Sequence, residues 1–208
     1  MLELYRKIRR NEWLNLFVIL TRILIGTGFT FASFPKILGL RFTQISVDTP
    51  IGYFFEAMYQ TGIYWNFLGW SQLIAAFLLM TQRFSTLGAI IFFPIIVNIF
   101  LITYSLSFPG TIYITFLMLL ATILLLVWDF EKLKYIFFPD NFKVVDDNFR
   151  KPTYNNFWIA TGVIIFINTV LSAIFKSILS LTFGNTIIMI SALIGHFIIR
   201  RKNKRLKT

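Results

Sequence analysis

The sequence contains no cysteine and one histidine among its 208 residues. These absences exclude disulfides, thiol redox chemistry and thiolate metal sites, and they leave no histidine cluster for a metal or a haem. Charged side chains are also scarce, at 14%, whereas hydrophobic residues reach 57%. A soluble domain carries about 25% charged and about 45–50% apolar residues. The composition therefore excludes a soluble enzyme and a disordered chain.

Long apolar runs occupy most of the chain. A membrane-spanning helix needs about 20 mostly apolar residues, and six segments approach that length: 13–34, 62–80, 86–106, 111–128, 157–175 and 179–199. Polar turns at 81–85 and 107–110 separate the second, third and fourth segments, so these neighbours should run antiparallel. The runs do not alternate as the strands of a membrane barrel do. We predict an all-α fold, a polytopic membrane bundle of about six transmembrane helices.

The segment 42–61, between the first two spans, is mixed in polarity. Asp48 or Thr49 could be the N-cap of a short helix over 51–59, with Pro50 in its first turn. This helix is too short to cross a bilayer. We therefore expect an interfacial or a re-entrant helix.

Basic residues are distributed unequally between the two sides of the predicted bundle. Three of them fall on one side, namely Lys36, Arg41 and Lys176. Sixteen fall on the other side, in the N-terminal segment, the 81–85 turn, the loop 129–156 and the C-terminal tail. Cytoplasmic loops are enriched in Lys and Arg, so both termini should be cytoplasmic. The basic tail 200–208 is then a topology anchor and needs no nucleic acid to explain it.

Arg22 is a charged residue within the first predicted span. It lies about nine residues into that span, roughly 13 Å from its cytoplasmic boundary, where a charge costs about 2.5–3.5 kcal/mol. It should therefore face the interior of the bundle. Asn15, Gly26 and Ser33 share its helix face, and Lys36 falls near the same face at the other end.

Gln72 is the expected partner of Arg22. It shares a face of the second span with Gly69 and Ala76, at nearly the same predicted depth, and its amide oxygen could accept a hydrogen bond from the guanidinium. Asn98, in the third span, would extend the polar cluster. No carboxylate lies within any predicted span, so Arg22 has no acid at its own depth unless a helix end or the re-entrant segment brings one close.

Two interpretations of this polar interior stay open. In the structural one, Gln72, backbone carbonyls and water hold Arg22 and thereby fasten the bundle. In the functional one, Arg22, Gln72, Asn98 and Lys36 bind an anionic or carbonyl-bearing ligand such as a quinone. The sequence offers no catalytic residues and no spacing typical of a metal site.

Several short motifs resemble the DoxX-like membrane proteins. The segments 21–26 and 34–37 read TRILIG and FPKI, and 69–79 and 87–89 read GWSQLIAAFLL and LGA. The family typically carries an Arg, a Gly and then a Lys in and near its first span, and it often has Glu at the position of Gln72. The resemblance implies a four-helix membrane bundle over 13–133. Residues 155–200 would then form an additional transmembrane hairpin, followed by the cytoplasmic tail 200–208.

The resemblance implies a function in a membrane redox system. The family takes its name from a subunit linked to quinol oxidation and to thiosulfate:quinone oxidoreduction. We therefore expect a non-catalytic subunit or accessory factor in the plasma membrane that binds a quinone or a lipid and no other cofactor. Its partners would be the bilayer and redox subunits that hold the electron carriers. The alternative is a small-molecule transporter, suggested by six spans, a bend at Pro94 and the segment before the second span.

Overall fold

The computed structural model describes residues 8–9, 11–137 and 156–205. These residues form helices and turns, and they contain no β-strand. The helices are α1 (Glu12–Ile37), α2 (Pro50–Gln60), α3 (Ile63–Met80), α4 (Ser85–Ser105), α5 (Thr111–Trp128), α6 (Phe130–Phe137), α7 (Asn156–Ile174) and α8 (Asn185–Arg205). A π-helical segment, Ser180–Gly184, leads directly into α8.

Six helical segments are long and apolar enough to cross a membrane. They are α1, α3, α4, α5, α7 and Ser180–Lys202, which joins the π-helical segment to most of α8. The all-α class is therefore confirmed for the described residues, and a helix long and apolar enough to cross a membrane lies at each of the six predicted spans. The protein is described below as a multi-pass membrane protein. The fourth span was predicted with the same limits, Thr111 and Trp128, that α5 has in the structure.

The α1–α3 interface is an antiparallel contact in which a glycine of each helix faces a larger side chain of the other. A Cβ atom added at Gly26 would collide with the Met80 side chain, and one added at Gly69 would lie 2.8 Å from Lys36 Cβ. As residue numbers rise along α1, the facing positions on α3 therefore fall. The predicted small faces around Gly26 and Gly69 are confirmed as the surfaces through which these two helices meet, because only small residues allow backbones to approach so closely.

The first four spans share one apolar core. Helix α3 packs against α1 and α4, α4 packs against α5, and α5 also touches α1. Their common core contains Val18, Ile25, Phe29, Ala75, Ala76, Leu79, Ala89, Phe92, Ile96, Leu125 and Trp128. Phe29 and Phe92 meet edge to face, with ring centroids 4.3 Å apart.

Helix α7 packs on α1 and α3, and α8 packs on α7. A second core, at this contact, joins Leu16, Ile19, Ile23, Met80, Trp158, Ile165 and Ala192. Helix α1 therefore contributes to both cores, with different faces. The predicted boundary loop 129–156 is described as far as residue 137 and again at residue 156, and residues 138–155 lie outside the described residues.

A cap segment, defined as residues 40–61, covers the end of the bundle where α1 ends and α3 begins. We call this the cap end. Its helix α2 starts at the N-cap Thr49, whose Oγ1 accepts a 3.1 Å hydrogen bond from Gly52 N, so of the two predicted caps the structure uses Thr49. Tyr59 contacts the Trp65 ring, and Phe55 contacts Phe108 in the turn between α4 and α5. Helix α2 thus contacts the first turn of α3 and the turn between α4 and α5.

Candidate functional site

Arg22 is buried at the opposite end from the cap, with 1% of its surface exposed. Its Nη2 donates a 2.9 Å hydrogen bond to Asp129 Oδ2, and its Nη1 donates a 3.3 Å bond to Gln82 Oε1. Asp129 is the C-cap residue of α5, and Gln82 lies in the turn between α3 and α4. A helix end therefore brings an acid to Arg22, which is the exception that the sequence analysis left open.

Asp129 is the centre of a larger ionic cluster. Its Oδ2 also accepts a 2.9 Å bond from Thr86 Oγ1. Its Oδ1 lies 3.3 Å from Lys132 Nζ and 3.9 Å from Arg9 Nη2. The cluster joins α1, the α3–α4 turn, α4, α5 and α6 at one point, and the Asp129 side chain is only 2% exposed. Every partner named here belongs to the chain itself, so the geometry favours a structural role.

The prediction of a hydrogen bond between Arg22 and Gln72 is wrong. Gln72 Oε1 accepts no hydrogen bond from any described residue. The error arises from the relative position of the two helices along their axes. Helix α1 has 26 residues and α3 has 18, and Gly26 already faces Met80 at the end of α3. Arg22 therefore lies level with the turn beyond α3, whereas Gln72 lies eight residues inside α3, about 12 Å away along its axis.

Asn98 also lies outside the predicted cluster. Its side chain is exposed on the bundle surface, and its Nδ2 donates a 3.0 Å hydrogen bond to Pro94 O on the same helix. This contact satisfies part of the amide within its own helix. The structure therefore does not bring Asn98 to Arg22.

Lys36 is the second buried cation, and it lies at the cap end. Its residue exposure is 5%, and its Nζ donates a 2.8 Å hydrogen bond to Ala32 O. The Nζ atom also lies 4.2 Å from the centroid of the Phe42 ring and 5.3 Å from that of Trp65. Among the described residues Lys36 forms no ion pair. Aromatic faces attract a cation and thereby replace part of its lost hydration.

Polar side chains continue from Lys36 into the α1–α3 interface. Thr30, Ser33 and Lys36 are spaced by three residues on one face of α1, and the antiparallel register brings Gln72 of α3 to the level of Ser33. We call these four residues the polar seam. Ser33 Oγ donates a 2.7 Å bond to Thr30 O. Thr30 Oγ1 and Gln72 Oε1 are buried and have no hydrogen-bond partner among the described residues.

Unpaired buried polar atoms are rare in proteins, and each one calls for an explanation. Within the polar seam, two such atoms lie in the same interface as a buried cation. Of the four predicted ligand-binding residues, the structure thus brings Gln72 and Lys36 to one interface and separates both from Arg22 and Asn98. The seam can offer a cation, a hydroxyl and an amide to a polar group that enters from the cap end.

The cap segment contains an exposed ion pair of its own. Arg41 donates hydrogen bonds of 2.7 Å and 2.9 Å to the two carboxylate oxygens of Glu56, and its guanidinium lies 4.8 Å from the centre of the Tyr59 ring. The hydrogen bond from Arg41 lowers the pKa of Glu56 below its usual value. The pair joins the loop that follows α1 to helix α2. A cavity of about 340 Å³ lies between that loop and α2.

Sequence reasoning missed the neighbours of the two buried cations, which are Asp129 and Gln82 at Arg22 and Phe42 and Trp65 at Lys36. Asp129 follows directly after the fourth apolar run, and a single acid at the end of a span was the available signal. Phe42 and Trp65 carry no such signal, because aromatic residues near span ends are usual in membrane proteins.

Comparison with known proteins gives a limited match to a bacterial protein. A 63-residue segment is 44% identical to the uncharacterized protein YwoB of Bacillus subtilis (strain 168) and covers 30% of this chain. The same segment spans 41% of the length of that relative. No family model matches the chain. No solved structure matches it either.

Proposed function

We propose that this membrane protein is non-catalytic and binds a quinone or a lipid in the polar seam, beneath the cap segment. The observation that supports this proposal is the combination of buried Lys36 with the unpaired Gln72 Oε1 and Thr30 Oγ1. A bound polar head group would supply hydrogen bonds that the described residues do not. The ionic cluster at Arg22 would have a separate, structural role.

The same proposal includes a subunit or accessory role in a quinone-linked redox system of the plasma membrane. The sequence supplies no cysteine and one histidine, so the electron carriers would belong to partner subunits. The DoxX resemblance agrees with this role, because its motifs include Arg22, Gly26 and Lys36. Under this proposal 13–133 is a four-helix unit, 155–200 is an added hairpin, and both termini are cytoplasmic.

A transporter is the alternative function, and the α1–α3 contact argues against it. A transporter needs a route from the cap end to the Arg22 end. This interface is closed at two levels, because Gly69 lies directly against Lys36 and Ile37, and Gly26 lies directly against Met80 and Ala76. A head group bound beside Lys36 would therefore not continue to the Arg22 end. Substrate uptake into liposomes by the purified protein alone would support transport instead.

Purification in a mild detergent, followed by mass spectrometry of bound lipids, quinones and proteins, tests the proposal. We expect the wild-type protein to retain a quinone or a lipid and the Gln72→Leu variant to lose it. Gln72→Leu should keep its melting temperature, because removal of an unpaired buried amide is close to neutral or stabilising. Asn98→Leu, at an exposed amide, is the matched control and should keep the ligand. Equal ligand content in wild type and Gln72→Leu would contradict the proposal.

A further inference from the structure

We propose that Lys36 binds the anionic head group of an amphiphile, a carboxylate or a phosphate, which enters when the cap segment opens as a lid about Gly39 and Gly62. This inference rests on the proposed ligand site in the polar seam. It adds the charge of the ligand and its route of entry.

The charge of the ligand follows from the surroundings of Lys36. An ammonium group has three N–H donors, and one of them is used by Ala32 O at 2.8 Å. The remaining contacts are the faces of Phe42 and Trp65, and within the described chain no carboxylate pairs with the group. A charge buried without a counter-ion is costly, and buried charges in proteins are normally paired. An anionic head group would complete the site.

The unpaired atoms of the seam are independent support for a ligand. Gln72 is 2% exposed and Thr30 is fully buried, yet neither Gln72 Oε1 nor Thr30 Oγ1 has a hydrogen-bond partner among the described residues. Both lie in the α1–α3 interface, in which Lys36 Cβ meets Gly69. The apolar helix faces and the rings around the seam suit the tail of an amphiphile better than a free, fully hydrated anion.

The two ends of the cap segment have the geometry of hinges. Gly39 and Gly62 adopt φ angles of 62° and 58°, in the left-handed region that favours glycine. A Cβ atom added at either position would meet nothing within 4 Å, and the amides of Gly39 and Gly62 each donate one backbone hydrogen bond of 3.2 Å, to Lys36 O and Tyr59 O. Residues that absorb large changes in φ and ψ at element ends are typical of lids.

Between these hinges the cap segment is held together internally. Arg41 is bonded to Glu56, Ser46 Oγ donates a 2.7 Å bond to Asp48, and a Cβ atom at Gly52 would collide with Ser46 O. The segment can therefore move as one piece. Its attachment to the bundle includes aromatic contacts, the contact of Lys36 with Phe42, a 2.7 Å bond from Leu40 N to Pro35 O and a 3.0 Å bond from Trp65 Nε1 to Leu40 O. Movement of the lid would carry Phe42 away from Lys36 and uncover its ammonium group.

Native mass spectrometry of the full chain with added amphiphiles tests the charge of the ligand. The probes are oleate, dioleoylphosphatidylglycerol, zwitterionic dioleoylphosphatidylcholine and inorganic phosphate. We expect the two anionic amphiphiles to bind Lys36→Met at least about tenfold more weakly than wild type, which corresponds to about 1.4 kcal/mol. Lys176→Met, which removes an exposed lysine beyond the end of α7, is the control and should bind as wild type does.

Three results would overturn this assignment. In the first, Lys36→Met binds the anionic amphiphiles as tightly as wild type does. In the second, wild type binds the phosphatidylcholine as tightly as it binds the anionic amphiphiles. In the third, inorganic phosphate binds wild type as tightly as the amphiphiles do. Any of them would leave the proposed function intact if purified wild type still retained a ligand that Gln72→Leu lost. Loss of that difference would remove the proposed function itself.

Cysteine labelling tests the lid, because the natural chain contains no cysteine. Ser33→Cys would place one thiol in the seam, and Ala75→Cys would place an equally buried thiol in the core of α3. We expect a small methanethiosulfonate reagent to modify Ser33→Cys at least about tenfold faster than Ala75→Cys. Oleate should slow this modification, and Trp65→Phe, which lacks the bond to Leu40, should accelerate it. Equal rates at the two thiols would overturn the lid.

Discussion

Asp129 lies within 4 Å of three basic side chains, those of Arg9, Arg22 and Lys132. Arg22 is the most buried of the three. Both members of the Arg22–Asp129 pair are almost fully removed from solvent. A buried pair contributes little net stability compared with well-packed apolar residues, but loss of one partner leaves an unpaired buried charge. The pair is therefore best understood as a device that fixes which helix ends meet.

The ion pair yields a prediction for stability. Asp129→Asn should lower the free energy of unfolding by about 3–5 kcal/mol, because Arg22 loses its carboxylate. The double variant Arg22→Leu/Asp129→Leu should recover much of that loss. Thermal unfolding in detergent measures both. Asp48→Asn, at an exposed acid in the cap segment, is the control, and an equal melting temperature for Asp48→Asn and Asp129→Asn would contradict the structural role.

At the scale of the elements, the length of α1 decides where its polar residues lie. Because α1 extends beyond Met80, its first turns pack against α7, whereas its middle and its last turns pack against α3. The sequence predicted the limits of the spans to within a few residues, since the length of an apolar run is a local property. It could not predict the axial offset between α1 and α3, because many offsets would bury the same small faces.

The close contact of α1 with α3 predicts a difference between two neighbouring glycines. Gly26→Ala should destabilise the bundle by about 1–3 kcal/mol, because the new methyl group collides with Met80 and Ala76. Gly28→Ala should be close to neutral or stabilising, because the nearest atom to its Cβ is Met118 Cε, at 4.0 Å. Melting temperatures of the two variants test this, and similar values would mean that the helices are not so closely packed.

The ion pair of the cap segment predicts a dependence on pH. The folded-state pKa of Glu56 is lowered, so its contribution is present above the usual glutamate value and is lost as the pH falls through the lowered one. Hydrogen exchange of the amides of α2, corrected for intrinsic rates, should show protection at pH 6 that decreases in the acid range, below about pH 4. Glu56→Gln should show the reduced protection already at pH 6, as well as in the acid range. A wild-type profile that is flat with pH would argue that the pair does not hold the segment.

At the scale of the whole molecule, an even number of spans requires both termini on one side of the membrane. The distribution of basic residues predicts that this side is the cytoplasm. In intact cells, an impermeant maleimide should label a cysteine introduced at Ser46 and should not label one introduced at Asp146. Permeabilised cells give the control, in which both should react. Labelling of Asp146→Cys alone in intact cells would reverse the proposed orientation.

The sequence by itself determined the all-α membrane class, the limits of the spans, helix α2 with its start at Thr49 and Pro50, and the small faces of α1 and α3. Each of these follows from hydropathy, turn chemistry or helical spacing over a few neighbouring residues. The tertiary structure decided the partners of the buried polar groups: Asp129 and Gln82 for Arg22, and the rings of Phe42 and Trp65 for Lys36. These contacts depend on the relative axial position of helices and on loops that return over their ends, and no local pattern in the chain encodes either.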